Sequence, residues 1–79
     1  MKPLKVDSQR ALRRFGKAIR DERWLLGLSQ ETLAELADVH ATYVGKVERA
    51  EKNISFENIL HIAAALELTP SELFARAGL

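Results

Sequence analysis

Cysteine is absent from this 79-residue chain, which excludes disulfide staples, thiol catalysis and cysteine-ligated zinc. Long hydrophobic runs are missing as well. The longest, Ile62 to Leu66, falls far short of the roughly 20 residues a membrane-spanning helix needs. The opening MKPLKVDSQR turns polar at once, so no secretory leader is expected and the sequence reads as cytoplasmic. Histidine is scarce: His40 in a turn and His61 on a helix edge read as solvated residues, and no Asp/Glu/His set has ligand-like spacing. A glycine-rich phosphate loop is also lacking. The expectation is a protein that is not an enzyme and has no metal, cofactor or small-molecule ligand.

What is present suits one small soluble domain, with 47% hydrophobic and 29% charged residues. A chain of this size buries only about 60% of the surface its unfolded form exposes, so its core must be compact and local. The net charge of +1 conceals an asymmetry. Residues 1–24 hold eight Lys/Arg against three Asp/Glu, a balance of +5, and residues 25–79 hold four against eight, a balance of −4. One electropositive face suited to a polyanion follows, although a solvated basic helix accounts for the charge equally well.

The periodicity is helical throughout and predicts an all-α fold of five helices. Asp7 or Ser8 can cap a first helix that Gly27 ends, with Leu12, Phe15, Ile19 and Leu26 as its apolar stripe. Ser29 can cap a second, which turns Leu33, Ala34 and Ala37 inward. After Asp38-Val39-His40, a third runs from about Ala41 to Ala50 with Val44 and Val47 on one side. Ser55 can cap a fourth, bearing Ile59, Ile62, Ala63 and Leu66. Thr69-Pro70-Ser71-Glu72 has the pattern of a capping box for a fifth, bearing Leu73, Phe74 and Ala77. Residues 1–7 read as a flexible arm and 8–79 as a single domain.

The segment Gln30 to Glu48, QETLAELADVHATYVGKVE, carries the functional signal. Two helices cross steeply after a short turn, with small Ala34 at their contact, the geometry that holds a second helix out toward a DNA major groove. On the third helix Thr42, Lys46 and Arg49 share the side opposite Val44 and Val47, a row of hydrogen-bond donors. Arg23 and Glu48 are charges on apolar faces, so they are expected to pair with each other and orient the third helix. Gly45 costs roughly 1 kcal/mol against alanine mid-helix, for which close approach to DNA and simple tolerance are both adequate explanations. Leu36 reads as satellite packing, and Trp24 as cover for the core edge.

Residues 19–66 resemble the Xre or phage-repressor helix-turn-helix family, through Arg23, Gly27, Gln30, Leu33, Ala34, Val44, Val47 and Glu48. GLSQETLA, TYVGKVER and LTPSELF look most like restriction–modification controller proteins. The resemblance implies a homodimeric transcriptional regulator on a palindromic double-stranded DNA operator. It further implies base contacts from Ala41, Thr42 and Lys46, and backbone contacts from Ser29, Gln30, Tyr43, Arg49, Lys52 and Asn53. The dimer interface would come from Leu68, Leu73, Phe74 and Leu79. An antitoxin or protein-interaction module, binding a different partner through that C-terminal surface, is the rival reading. Asp38, Ala50 and Glu67 stand where the family pattern has glycine. Asp tolerates a left-handed conformation at modest cost, Ala50 is expected to lengthen the third helix, and Glu67 leaves the end of the fourth undefined.

Overall fold

The computed structural model describes residues 6–79, so most of the arm assigned to residues 1–7 lies outside the described residues. Five α-helices follow in order: α1 (Ser8–Leu25), α2 (Gln30–Ala37), α3 (Ala41–Glu48), α4 (Phe56–Ala65) and α5 (Pro70–Arg76). None is long and apolar enough to cross a membrane.

Four helix starts are set by short polar side chains that accept from the otherwise orphaned first-turn amides. Asp7 accepts from Arg10 N–H (3.0 Å), Ser29 from Thr32 (3.0 Å), Ser55 from Asn58 (3.1 Å) and Thr69 from Glu72 (3.1 Å). At α5 the box is reciprocal, for Glu72 accepts from Thr69 N–H at 2.9 Å. That bond, with the Thr69 hydroxyl contact, holds the Glu72 carboxyl below the usual carboxylate range.

The helix ends obey one geometry. After each helix a residue with φ between 56° and 72° turns the chain: Gly27, Asp38, Ala50, Glu67 and Gly78. The amide of the following residue then reaches back to the carbonyl five positions earlier. Leu28 bonds Arg23 (3.0 Å), Val39 bonds Ala34 (2.9 Å), Glu51 bonds Lys46 (2.8 Å), Leu68 bonds Ala63 (2.9 Å) and Leu79 bonds Phe74 (2.9 Å). These are Schellman closures, three of them made without glycine. Ala50 therefore does not lengthen α3, which stops at Glu48, because the left-handed turn takes two orphaned carbonyls as acceptors. Glu67 closes α4 as a glycine would.

The core gathers Phe15 and Ile19 from α1, Leu33 from α2, Val44 and Val47 from α3, Ile62 from α4, and Leu73 from α5. Phe15 and Phe74 stack tilted, with centroids 5.1 Å apart, and fasten α5 to α1. Several inward assignments fail at helix edges. Leu26 is exposed, since it lies past the last regular turn of α1, and Leu36 is exposed on α2 rather than packed as a satellite. Trp24 is 61% exposed and does not cover the core. Arg20 and Arg23 lie 5.2 and 5.9 Å from its ring centroid instead, a cation–π arrangement.

Gly16 sets how closely α1 approaches α3. A Cβ there would stand 2.5 Å from the Val47 carbonyl oxygen and 2.7 Å from that of Glu48, so backbone meets backbone. Gln9 adds a bond from Nε2 to the Ala50 carbonyl at 3.2 Å. Gly16→Ala is expected to destabilise the domain by about 1–3 kcal/mol through forced separation of the helices. Urea denaturation measures this, and an unchanged midpoint contradicts the close contact.

Candidate nucleic-acid interface

α3 has eight residues, too few to be stable alone, so its orientation is imposed from outside. Val44 and Val47 are buried on one side, and Thr42, Lys46 and Arg49 are exposed on the other. The charged lock lies between α1 and α3. Arg23 Nε donates to Glu48 Oε2 at 2.7 Å and Nη2 to Oε1 at 3.0 Å, a bidentate fork whose side chains are only 9% and 3% exposed. Arg23 Nη1 also donates to the Leu28 carbonyl at 3.0 Å, which ties the α1–α2 connection into the same group. The Glu48 bond raises the Arg23 pKa above its ordinary value, so the guanidinium stays charged.

Gln30 joins this group from the first position of α2. Its Nε2 donates to Glu48 Oε1 at 3.1 Å. An amide carries two N–H donors, so one is used on the lock and one is left over. Ser29 is occupied in capping, and its Oγ also bonds the Thr32 hydroxyl at 2.9 Å. The backbone amides of Gln30 and Glu31 at this helix start lie beyond the Ser29 cap. His40 makes no side-chain cap on α3, although its carbonyl accepts from Tyr43 N–H at 3.0 Å.

Around the outward face, Ala41 and Tyr43 are half-buried, and Ser29, Lys52 and Asn53 are exposed. Lys52 Nζ sits 5.7 Å from the Tyr43 ring centroid. Asn53 Oδ1 accepts from the Ile54 amide at 2.9 Å, and the residue lines the same cavity as Phe74 and Leu79. Arg49 is paired with Glu51, a contact the sequence reading missed because the left-handed turn at Ala50 creates it. The exposed side chains of α3 and the loop after it are chiefly donors and cations, with Glu51 paired to one of them, the complement of phosphate oxygens and of guanine N7 and O6.

A helix-turn-helix family model matches residues 17–73. The chain belongs to the helix-turn-helix family. Control protein C.SmaI from Serratia marcescens is 41% identical over 61 residues, covering 77% of this chain and 73% of that protein. The crystal structure of the restriction-modification controller protein C.AhdI from Aeromonas hydrophila superposes with a TM-score of 0.77 at 50% identity, over 78% of this chain and 94% of that one. The clp gene regulator ClgR from Corynebacterium glutamicum shares 26% identity over 99% of this chain and 77% of its own, with a TM-score of 0.82. This helix-turn-helix protein is thus a DNA-binding regulator closely related to restriction–modification controller proteins, and the α2–turn–α3 unit is the part by which such proteins present a helix to DNA.

The four residues assigned to a dimer interface in this helix-turn-helix protein separate. Leu73 has no exposed surface and fills the protomer's own core, so it cannot face a partner. Leu68 and Phe74 are half-buried, and Leu79 is 50% exposed. Phe56 and Leu60 were not singled out, yet both are exposed on α4 at four-residue spacing. Their hydrophobic character at that interval was the available signal.

Removing one partner of the buried pair leaves the other charge stranded. Glu48→Ala is expected to cost about 3–5 kcal/mol in urea denaturation, whereas Arg23→Met with Glu48→Met recovers most of that loss. A double variant as unstable as the single one contradicts this account.

Proposed function

We propose that the protein is a homodimeric, cytoplasmic transcriptional regulator that binds an inverted-repeat operator and controls restriction–modification genes. Supporting this is the free face of α3, whose exposed Thr42 and Lys46 project from a helix locked on its other side. Two copies would place α3 in successive major grooves about 34 Å apart. Ala41, Thr42 and Lys46 read base edges. Ser29, Gln30, Tyr43, Arg49, Lys52 and Asn53 hold the sugar-phosphate backbone, Gln30 through its second amide N–H. Relatives named as control proteins favour this reading over an antitoxin.

Dimerisation uses α4, α5 and the residues that flank α5, where Phe56, Leu60 and Leu79 are exposed and Leu68 and Phe74 are half-buried against the core. An isologous contact of this patch supplies the twofold axis that an inverted repeat requires. Residues 8–79 serve as one domain carrying both surfaces.

Two experiments test these assignments. Lys46→Ala should alter sequence preference, by about 1–3 kcal/mol at the base it reads, while Lys52→Ala should weaken all sequences alike and flatten the salt dependence. Binding-site selection from random duplex, followed by titrations over a salt series, separates the two; equal loss on selected and random DNA removes Lys46 from the base readers. Leu60→Glu should convert a dimer into a monomer by sedimentation while the helical circular dichroism is kept. A wild-type chain that sediments as a monomer overturns the homodimer.

A further inference from the structure

Arg49 is the residue that caps the end of α3, and in the free protein its guanidinium already holds an anion. Nε donates to Glu51 Oε2 at 2.6 Å, and Nη2 reaches Oε1 at 3.5 Å. The left-handed turn at Ala50 brings this about, because it folds the chain back and lays residue 51 alongside the helix end. The guanidinium also points back over α3. A Cβ added to Gly45 would stand 3.1 Å from Arg49 Nη1 and 3.4 Å from Gln30 Oε1. Two of the groups assigned to the DNA backbone therefore converge over the position where α3 lacks a side chain.

A carboxylate and a phosphodiester offer a guanidinium the same thing, two anionic oxygens spaced for parallel N–H donation. We propose that Glu51 is an internal stand-in for a DNA phosphate, holding Arg49 over Gly45 in the free protein and giving way to the phosphate on binding. The proposal rests on the backbone-contacting role given to Arg49 above and deepens it by naming a residue that sets affinity. The pair is half exposed, so it is weak enough to exchange. The Arg49 bond holds the Glu51 carboxyl below the usual carboxylate range, so the stand-in is charged at neutral pH.

Exchange also alters the counterion balance. When Arg49 meets a phosphate, a cation condensed on DNA is released, but the uncovered Glu51 attracts one from solution. The Arg49 contact then adds little to the salt dependence while Glu51 is present.

Titration of wild type, Glu51→Gln, Arg49→Ala and the double variant against a random-sequence duplex, between about 50 and 200 mM salt, tests the exchange. Glu51→Gln should bind about two- to fivefold more tightly, with a salt slope steeper by about 0.9. Its gain should fall by at least half when Arg49 is already alanine. Equal gains in both backgrounds reduce Glu51 to general repulsion of DNA and overturn the proposal, as does no gain at all. If Arg49→Ala alone leaves affinity unchanged, the clamp role of Arg49 falls and takes the exchange with it. Gly45→Ala adds an independent arm, since its Cβ meets only the ends of two flexible side chains. It should melt no lower than wild type and yet bind the duplex several-fold more weakly; unchanged affinity removes the convergence over Gly45 from the account.

Discussion

The bidentate contact between Arg23 and Glu48 decides what the rest of the molecule can do. A short helix held only by two valines could roll or tilt on its apolar contact, and its outward donors would sweep an arc. The guanidinium fork allows one planar approach to a carboxylate, and here the carboxylate belongs to α3 and the guanidinium to the longest helix of the fold. Buried ion pairs gain little net stability once desolvation is counted. What this one supplies is direction, and Gln30 extends that direction to the first turn of α2.

The lock also shapes the charge pattern. Its guanidinium and carboxylate neutralise each other in the interior, so they take no part in the field felt by an approaching polyanion. That field comes from the outward cations of α3 and the loop after it, and from the basic stretch of α1. The helix-turn-helix unit carries acids too: Glu31, Glu35 and Asp38 belong to α2 and the turn after it, and Glu51 is paired with Arg49. The molecule thus presents two chemically distinct regions, one rich in donors on α3 and one with exposed apolar side chains on α4 and after α5.

Much of this was legible in the sequence because it depends on short-range chemistry. Asp7, Ser29, Ser55 and Thr69 each satisfy an amide three residues away, so helix starts follow from local order. The apolar spacing of Ile59, Ile62, Ala63 and Leu66 reflects the pitch of a helix, whatever surrounds it. Arg23 and Glu48 stood out because charges on apolar faces need partners. Harder to see were features that depend on the assembled fold. Leu73 and Leu79 look alike as residue types, yet one is enclosed and the other half exposed, since only the former lies against the packed face of α5. Gly16 gives no sign in sequence that carbonyls of another helix lie against it. Nor does Glu51 reveal that a turn will deliver it to Arg49.

The left-handed residues at Asp38, Ala50 and Glu67 carry a consequence of their own. A side chain in that conformation costs on the order of 1–2 kcal/mol that glycine would not, offset partly by the greater unfolded freedom of glycine. The three lie in separate connections, so their effects sum rather than interfere. The domain therefore holds a reserve of stability in its connections, open to selection or to engineering without alteration of any outward side chain of α3.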